Sequence, residues 1–274
     1  MPDDRPIGVF DSGVGGLTVV RAIGDLLPGE RIRYLGDTAR APYGPRPVEE
    51  IRAFALEIAD HLVRSDVKML VVACNSVEVS AIADVTEAHG VPVVGVIAPG
   101  VRAAARATRS GRIGLIGTQA TVASGAYDRA AAEIDGAIDL VAAACPVFVE
   151  HVEAGDTASP GLRAAAETYL APLLAAGIDA LILGCTHYPM LAPLLREVVG
   201  PDVVLVSSAD ETARDVAASL DAGGFRRGAA EPPAPEFRCT GDPAGFRAIA
   251  ERFLGRDAGS FARAVLGVEE IAWT

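Results

Sequence analysis

The sequence predicts an α/β protein built on parallel sheets. Short apolar runs alternate with Ala-rich amphipathic runs along most of the chain, and half of the 274 residues are hydrophobic with few aromatics. Two distant apolar runs also end alike, each on a cysteine followed by polar groups: "MLVVACNSVEV" at 69–79 and "LILGCTHYPM" at 181–190. Buried parallel strands are rich in aliphatic residues and their crossover helices in Ala and Leu, so composition and alternation agree.

Taken in order, the first strand is predicted at 7–10, followed by the glycine-rich turn "DSGVGG" from Asp11 to Gly16. A second strand at 32–35 leads into "GDTARAPYG" (36–44), where Pro42 and Gly44 act as breakers. The run "VEEIRAFALEIADHLVRS" (48–65) has helical periodicity, and a strand at 69–73 then reaches Cys74. Further strands are predicted at 91–96, 113–116, 140–143, 180–183 and 203–206, with a helix at "GLRAAAETYLAPLLAAG" (161–177) before the strand that ends on Cys185. Beyond these, "DAGGFRRGAAEPPAPEF" (221–237) reads as a surface connection, "GFRAIAERFLG" (245–255) as a helix and "GVEEIAWT" (267–274) as a closing strand. Strand–helix alternation implies right-handed crossovers, and ligands in such folds gather beyond the carboxyl ends of the strands. Asp11, Cys74, Thr118 and Cys185 each follow a predicted strand closely and fall in that zone.

An internal echo divides the chain. "IGVFDSGVGGLTV" from Ile7 and "IGLIGTQATVASG" from Ile113 both open on Ile-Gly and end in a small or polar turn, and each precedes its strand-end cysteine by nearly the same distance. Two similar α/β halves, each presenting one cysteine to a shared cleft, are the expectation, with chance similarity between buried strands as the alternative.

A formal net charge of −12 gives the chain no electrostatic reason to seek nucleic acid or an anionic membrane. The start "MPDDRPIGVFDSG" lacks a secretory apolar region, and no stretch is long and apolar enough to span a bilayer. The cysteines Cys74, Cys145, Cys185 and Cys239 are scattered without a CxxC pair, so reduced thiols in a cytoplasmic protein are expected.

Cys74 is either a buried thiol closing a strand or, with "NS" opening the next helix, a thiol placed for thiolate chemistry at a helix N-terminus. Cys185 has the same alternatives, sharpened by Gly184, Thr186 and the proton-active His187; a Cys-x-His pair alone is short of a zinc site. "DSGVGG" fits neither a dinucleotide fingerprint nor a P-loop, and its backbone N–H groups suit a carboxylate, with Asp11 as a helix cap or an ammonium partner. "GDTARAPYG" offers Thr38, Tyr43 and backbone donors for a second anion, or is merely a loop. His61, His89 and His151 show no partner spacing and read as surface or packing residues.

Seven segments in order, "GVFDSGVGGLTV" (8–19), "YLGDTARAPYG" (34–44), "VVACNSV" (71–77), "GVIAPG" (95–100), "IGTQATVASGAY" (116–127), "CPVFVEHVEAG" (145–155) and "GCTHYPML" (184–191), resemble the glutamate racemases of the aspartate/glutamate racemase superfamily. The resemblance implies a cofactor-independent, metal-free interconversion of L- and D-glutamate, supplying D-glutamate for bacterial peptidoglycan, by two cysteines on opposite faces of the α-carbon. It implies that Cys74 acts on the D-enantiomer and Cys185 on the L-enantiomer, assisted by Asp11 and His187. Substrate contacts carry over to Ser12, Pro42, Tyr43, Gly44, Asn75, Ser76, Thr118, Thr121 and Thr186, and acidic site positions to Asp37 and Glu153. It also implies a discontinuous first domain (1–95 plus 208–274), a second domain (96–207), the site in the cleft between them, and a homodimer. The chain departs from the family at Ser76, where threonine is usual, and at Glu150 and His151, where proline and leucine are common. Rival readings are a cysteine hydrolase using Cys185 and His187, an amino-acid binding protein without chemistry, and a racemase of another acid such as aspartate.

Overall fold

Two parallel sheets organise the chain in the computed structural model, which describes residues 2–228, 233–254 and 269–271. The first sheet contains β1 (Ile7–Asp11), β2 (Ile32–Gly36), β3 (Met69–Val72), β4 (Val93–Val94), β9 (Glu236–Cys239) and β10 (Glu269–Glu270), in the order β10-β9-β2-β1-β3-β4. The second contains β5 (Arg112–Gly117), β6 (Asp139–Ala144), β7 (Ala180–Gly184) and β8 (Val204–Val206), in the order β6-β5-β7-β8. The crossovers of the first sheet are α1 (Leu17–Leu26), α2 (Val48–Arg64) and α3 (Asn75–Ala88). Helix α4 (Ile97–Ala107) carries the chain to the second sheet, whose helices are α5 (Gln119–Ala123), α6 (Ala126–Ile134), α7 (Val147–Glu153), α8 (Pro160–Ala175) and α9 (Ala192–Val199). Helix α10 (Ala209–Gly223) packs on both α1 and α4, and α11 (Pro243–Leu254) follows β9.

The central strands β1, β3, β5 and β7 are buried on both faces, which is why they read as unbroken apolar runs, whereas the edge strands β4, β6, β8 and β10 are partly exposed. In the first, Val9, Met69 and Val71 meet α1 and α10, whereas Phe10, Leu70 and Val72 meet α2 and α3. In the second, Leu115 and Ile182 face α4 and α6, whereas Leu181 and Leu183 face α8 and α9. This alternation is the period-two consequence of strand geometry.

The internal echo has a structural counterpart. The order β2-β1-β3-β4 repeats as β6-β5-β7-β8, so β1 and β5 are equivalent central strands, and β3 and β7 are the strands that end at the cysteines. Gly8 and Gly114, the glycines of the two Ile-Gly openings, occupy equivalent crowded positions. A Cβ on Gly8 would lie 3.1–3.2 Å from Val67 and Leu70, and one on Gly114 would lie 2.5 Å from Ile178 and 2.9 Å from Leu181.

The strand expected at 91–96 is paired only at Val93–Val94, because Val96 and Ile97 turn into α4. The connection expected at 221–237 is shorter: α10 runs to Gly223 and β9 begins at Glu236. Of the closing strand expected at 267–274, Glu269 and Glu270 pair with β9, while 267–268 and 272–274 lie outside the described residues. No described helix is long and apolar enough to cross a membrane.

Candidate active site

The carboxyl ends of β1, β3, β5 and β7 open on one cleft of about 690 Å³, counting the space at its mouth that is open to solvent. Cys74 forms the N-cap of α3, and Asn75 and Ser76 begin the helix beside it; all three line the cleft and are buried. Asn75 Nδ2 donates to Tyr127 Oη at 2.8 Å, and the Ser76 and Thr118 hydroxyls are hydrogen-bonded at 3.0 Å. Burial and the negative field of Asp11 push the Cys74 thiol up to about 12, while the Val77 N–H and the Ser12 hydroxyl, 3.6 Å from Sγ, work in the other direction.

Cys185 stands on the opposite wall, at the end of β7. Its Sγ is 3.8 Å from His187 Nδ1, and His187 Nε2 is 3.3 Å from Glu153 Oε1 on α7. Burial disfavours a charged imidazole there, but Cys185, Glu153 and Asp11 outweigh it and lift His187 to about 10. The imidazolium is thus placed to stabilise negative charge on the Cys185 sulfur. Thr186 Oγ1 donates to Asp11 Oδ2 at 3.2 Å, tying the end of β7 to the end of β1. Asp11 itself is fully buried, also accepts from the Gly13 N–H at 2.8 Å, and has its carboxyl raised by that burial.

Most of the expected site residues meet in this cleft: Ser12, Pro42, Tyr43, Gly44, Cys74, Asn75, Ser76, Thr118, Glu153, Cys185, Thr186 and His187 all line it. Asp11, Asp37 and Thr121 do not; each supports a lining residue from behind. Thr121 bonds the Thr118 hydroxyl at 3.0 Å. Asp37 accepts from Tyr43 Oη, from Arg40 Nε at 2.6 Å and from Thr240 Oγ1 at 2.6 Å, and so fixes the Tyr43 ring rather than facing the cleft.

The anion cradle expected of "DSGVGG" is not formed by its glycines, since only Ser12 of that loop lines the cleft. Gly15 instead allows close approach of the second wall: a Cβ there would overlap Thr186 Oγ1 and crowd His187 Nδ1. Thr38, expected to offer an anion contact, accepts from the Gly241 N–H at 3.1 Å and lies off the cleft. His151, expected to lack a partner, is 2.7 Å from Asp156 Oδ2.

Pro45, Gln119, Pro146, Val149 and Glu150 also line the cleft. Gln119, Pro146, Val149 and Glu150 fall inside the quoted segments and Pro45 directly follows one, but nothing in the residues themselves marks them as cleft-lining. Glu150 lies within one helical turn of Glu153 on α7, the spacing that puts both carboxylates on one face. Among the described residues, no group of three or more His, Cys, Asp or Glu side chains is arranged to hold a metal ion.

Residues 7–216 match the Asp/Glu/Hydantoin racemase family. A glutamate racemase from Beutenbergia cavernae is 54% identical over 264 residues, covering 92% of this chain and 90% of that one. Among solved structures, glutamate racemase isoform RacE1 from Bacillus anthracis superposes with a TM-score of 0.87 at 43% identity, covering 92% of this chain and 94% of that one. Glutamate racemase from Francisella tularensis, solved in complex with D-glutamate, has a TM-score of 0.88 at 33% identity, with 99% and 98% coverage.

Proposed function

The chain belongs to the Asp/Glu/Hydantoin racemase family, and from that premise we propose that it interconverts L- and D-glutamate by proton transfer between Cys74 and Cys185 across the α-carbon. It is an amino-acid racemase, an isomerase in reaction class. The observation that carries the two-base reading is that the two thiols line one cleft from the ends of equivalent strands in two sheets. A hydrolase built on Cys185 and His187 leaves the Cys74 wall without a task, and a binding protein has no use for two thiols.

In the L-to-D direction the Cys185 thiolate removes the α-proton of L-glutamate, and the electron pair left on the α-carbon spreads into the α-carboxylate. The Cys74 thiol then delivers a proton to the opposite face, giving D-glutamate, a Cys74 thiolate and a Cys185 thiol. The D-to-L direction runs the same steps backwards. An α-proton is far less acidic than a thiol of pKa ~8.5, so the transition state needs dipoles already aimed at the developing charge. The N-terminus of α3, the Ser12 and Thr186 hydroxyls and the His187 imidazolium supply favourable partners for substrate carboxylates and sulfur anions. The raised thiol pKa of Cys74 suits a proton donor, and the His187 ring 3.8 Å from the Cys185 sulfur is placed to exchange charge with it.

The same reading assigns 1–95 plus 208–274 to one domain and 96–207 to the other, supported by the separation of β1–β4, β9 and β10 from β5–β8. It also includes cofactor independence, a cytoplasmic homodimer and supply of D-glutamate to peptidoglycan synthesis. Glutamate is preferred over aspartate as substrate because the relatives of high identity are glutamate racemases. The test is proton NMR of L-glutamate with the purified, reduced protein in D2O without cofactor, followed by chiral analysis. Loss of the α-proton signal with appearance of D-glutamate is expected; an unchanged signal with folded protein would remove glutamate as the substrate.

A further inference from the structure

Helix α4 begins where the chain leaves the first sheet for the second. Its N-cap is Val96, which has no side-chain acceptor, and its first turn carries no acidic residue. The first N–H groups of a helix have no partners within it, and they also concentrate the positive end of its dipole. Here the partner comes from another helix. Glu78 Oε2, on α3, accepts from the Val96 N–H at 2.5 Å and from the Ile97 N–H at 3.0 Å. Gly95 makes the space, because a Cβ at that position would overlap the Glu78 carboxylate.

Glu78 does not line the cleft, but it lies one turn from Cys74 on the helix that Cys74 caps. The same stretch of α3 makes two other reaches. Asn75 bonds Tyr127 on α6, and Ser76 bonds Thr118 at the end of β5. Residues 75, 76 and 78 therefore bond three separate segments around the second sheet: α6, the β5–α5 junction and the start of α4. Asn75 and Ser76 also line the cleft, so their bonds compete with substrate contacts. The Glu78 carboxylate lies off the cleft, so its two bonds to α4 do not compete with substrate contacts.

We propose that Glu78 is a positioning residue: by capping α4 from α3 it holds the Cys74 wall in register with the Cys185 wall. The proposal rests on the two-cysteine reading above and adds to it a residue outside the cleft. A local misplacement of reacting groups by about 1 Å can cost on the order of 100-fold in rate, so a clamp at the crossing point has leverage on proton transfer.

The experiment compares wild type, Glu78→Ala and Glu78→Gln, the last retaining a carbonyl acceptor. Three quantities are measured: kcat and KM for both glutamate enantiomers, iodoacetamide alkylation rates of Cys74 and Cys185 by peptide mass spectrometry, and the thermal midpoint. Glu78→Ala is expected to lower kcat by about 10-fold or more, with a smaller change in KM, consistent with loss of alignment rather than of substrate contacts. Alkylation of both thiols should speed up several-fold, and Glu78→Gln should restore most of both effects. A lowered midpoint with wild-type kcat and wild-type alkylation would reduce Glu78 to a helix cap and overturn the proposal. Should wild type itself fail to racemise glutamate, the substrate reading falls, and the alkylation rates alone decide the clamp: unchanged rates in Glu78→Ala overturn it, accelerated rates support it. Glu78→Asp, one methylene too short to span to the two amides, replaces Glu78→Ala if the alanine variant does not fold.

Discussion

His187 sits between the Cys185 sulfur and the Glu153 carboxylate, almost fully buried, with Asp11 adding a third negative neighbour. A buried imidazole would ordinarily lose its proton; here its partners reverse the direction and lift it from 6.5 to about 10. The sign of the stability effect follows. A group whose folded pKa is raised contributes stability that is fully present below its unfolded value, near 6.5, and that is lost as pH rises through about 10. Urea unfolding of wild type between pH 6.5 and 10.5 should therefore show a falling midpoint, and His187→Asn should flatten that slope. Equal slopes in the two proteins would mean that His187 is not a buried cation. The residues Cys74, Cys185 and His187 were legible in the sequence because each follows a recognisable strand end. Asp37 and Thr121 were assigned to the same site, but they act one layer back, behind Tyr43 and Thr118. A carboxylate that faces a substrate and one that holds a tyrosine look alike in one dimension.

At the scale of elements, β1 and β5 show how a sequence echo acquires a physical cause. The repeated Ile-Gly is a packing requirement: the glycine of each central strand, Gly8 in β1 and Gly114 in β5, lies under a valine or isoleucine and a neighbouring-strand leucine. Gly114 is the tighter of the two. Gly114→Ala should cost about 1–3 kcal/mol, the usual range for overpacking a buried site, because Ile178, Leu181 and Leu173 would all have to shift. Gly136→Ala, with nothing within 4 Å of the added carbon, serves as the control. Denaturant midpoints that fall equally in both variants would rule out the packing explanation. Element boundaries were less legible than element identities. Val91–Val96 has strand composition throughout, yet only two residues pair, because Glu78 draws the amides of Val96 and Ile97 into a helix start. That competition comes from a residue on another helix and has no local signal.

Across the whole molecule, the two sheets matter to the proposed two-base mechanism because each brings one cysteine to the shared cleft. Cys74→Ala should lower racemisation by on the order of 1,000-fold, within the range for loss of a proton-transfer group. The loss must be the same in kcat/KM for both enantiomers, since L- and D-glutamate have equal free energies. Circular dichroism from each pure enantiomer measures both rates, and retained turnover in Cys74→Ala would redirect the chemistry to Cys185 and His187 alone. The sequence by itself determined the fold class, the repeated strand–cysteine halves and the family, because strand periodicity and strand-end motifs are local patterns that survive in one dimension. Only the tertiary structure decided which acids face the cleft, that Gly15 serves contact between the walls, and that Glu78 joins the two halves. Those facts depend on distances between residues far apart in the chain, and closure of the two sheets on each other sets those distances.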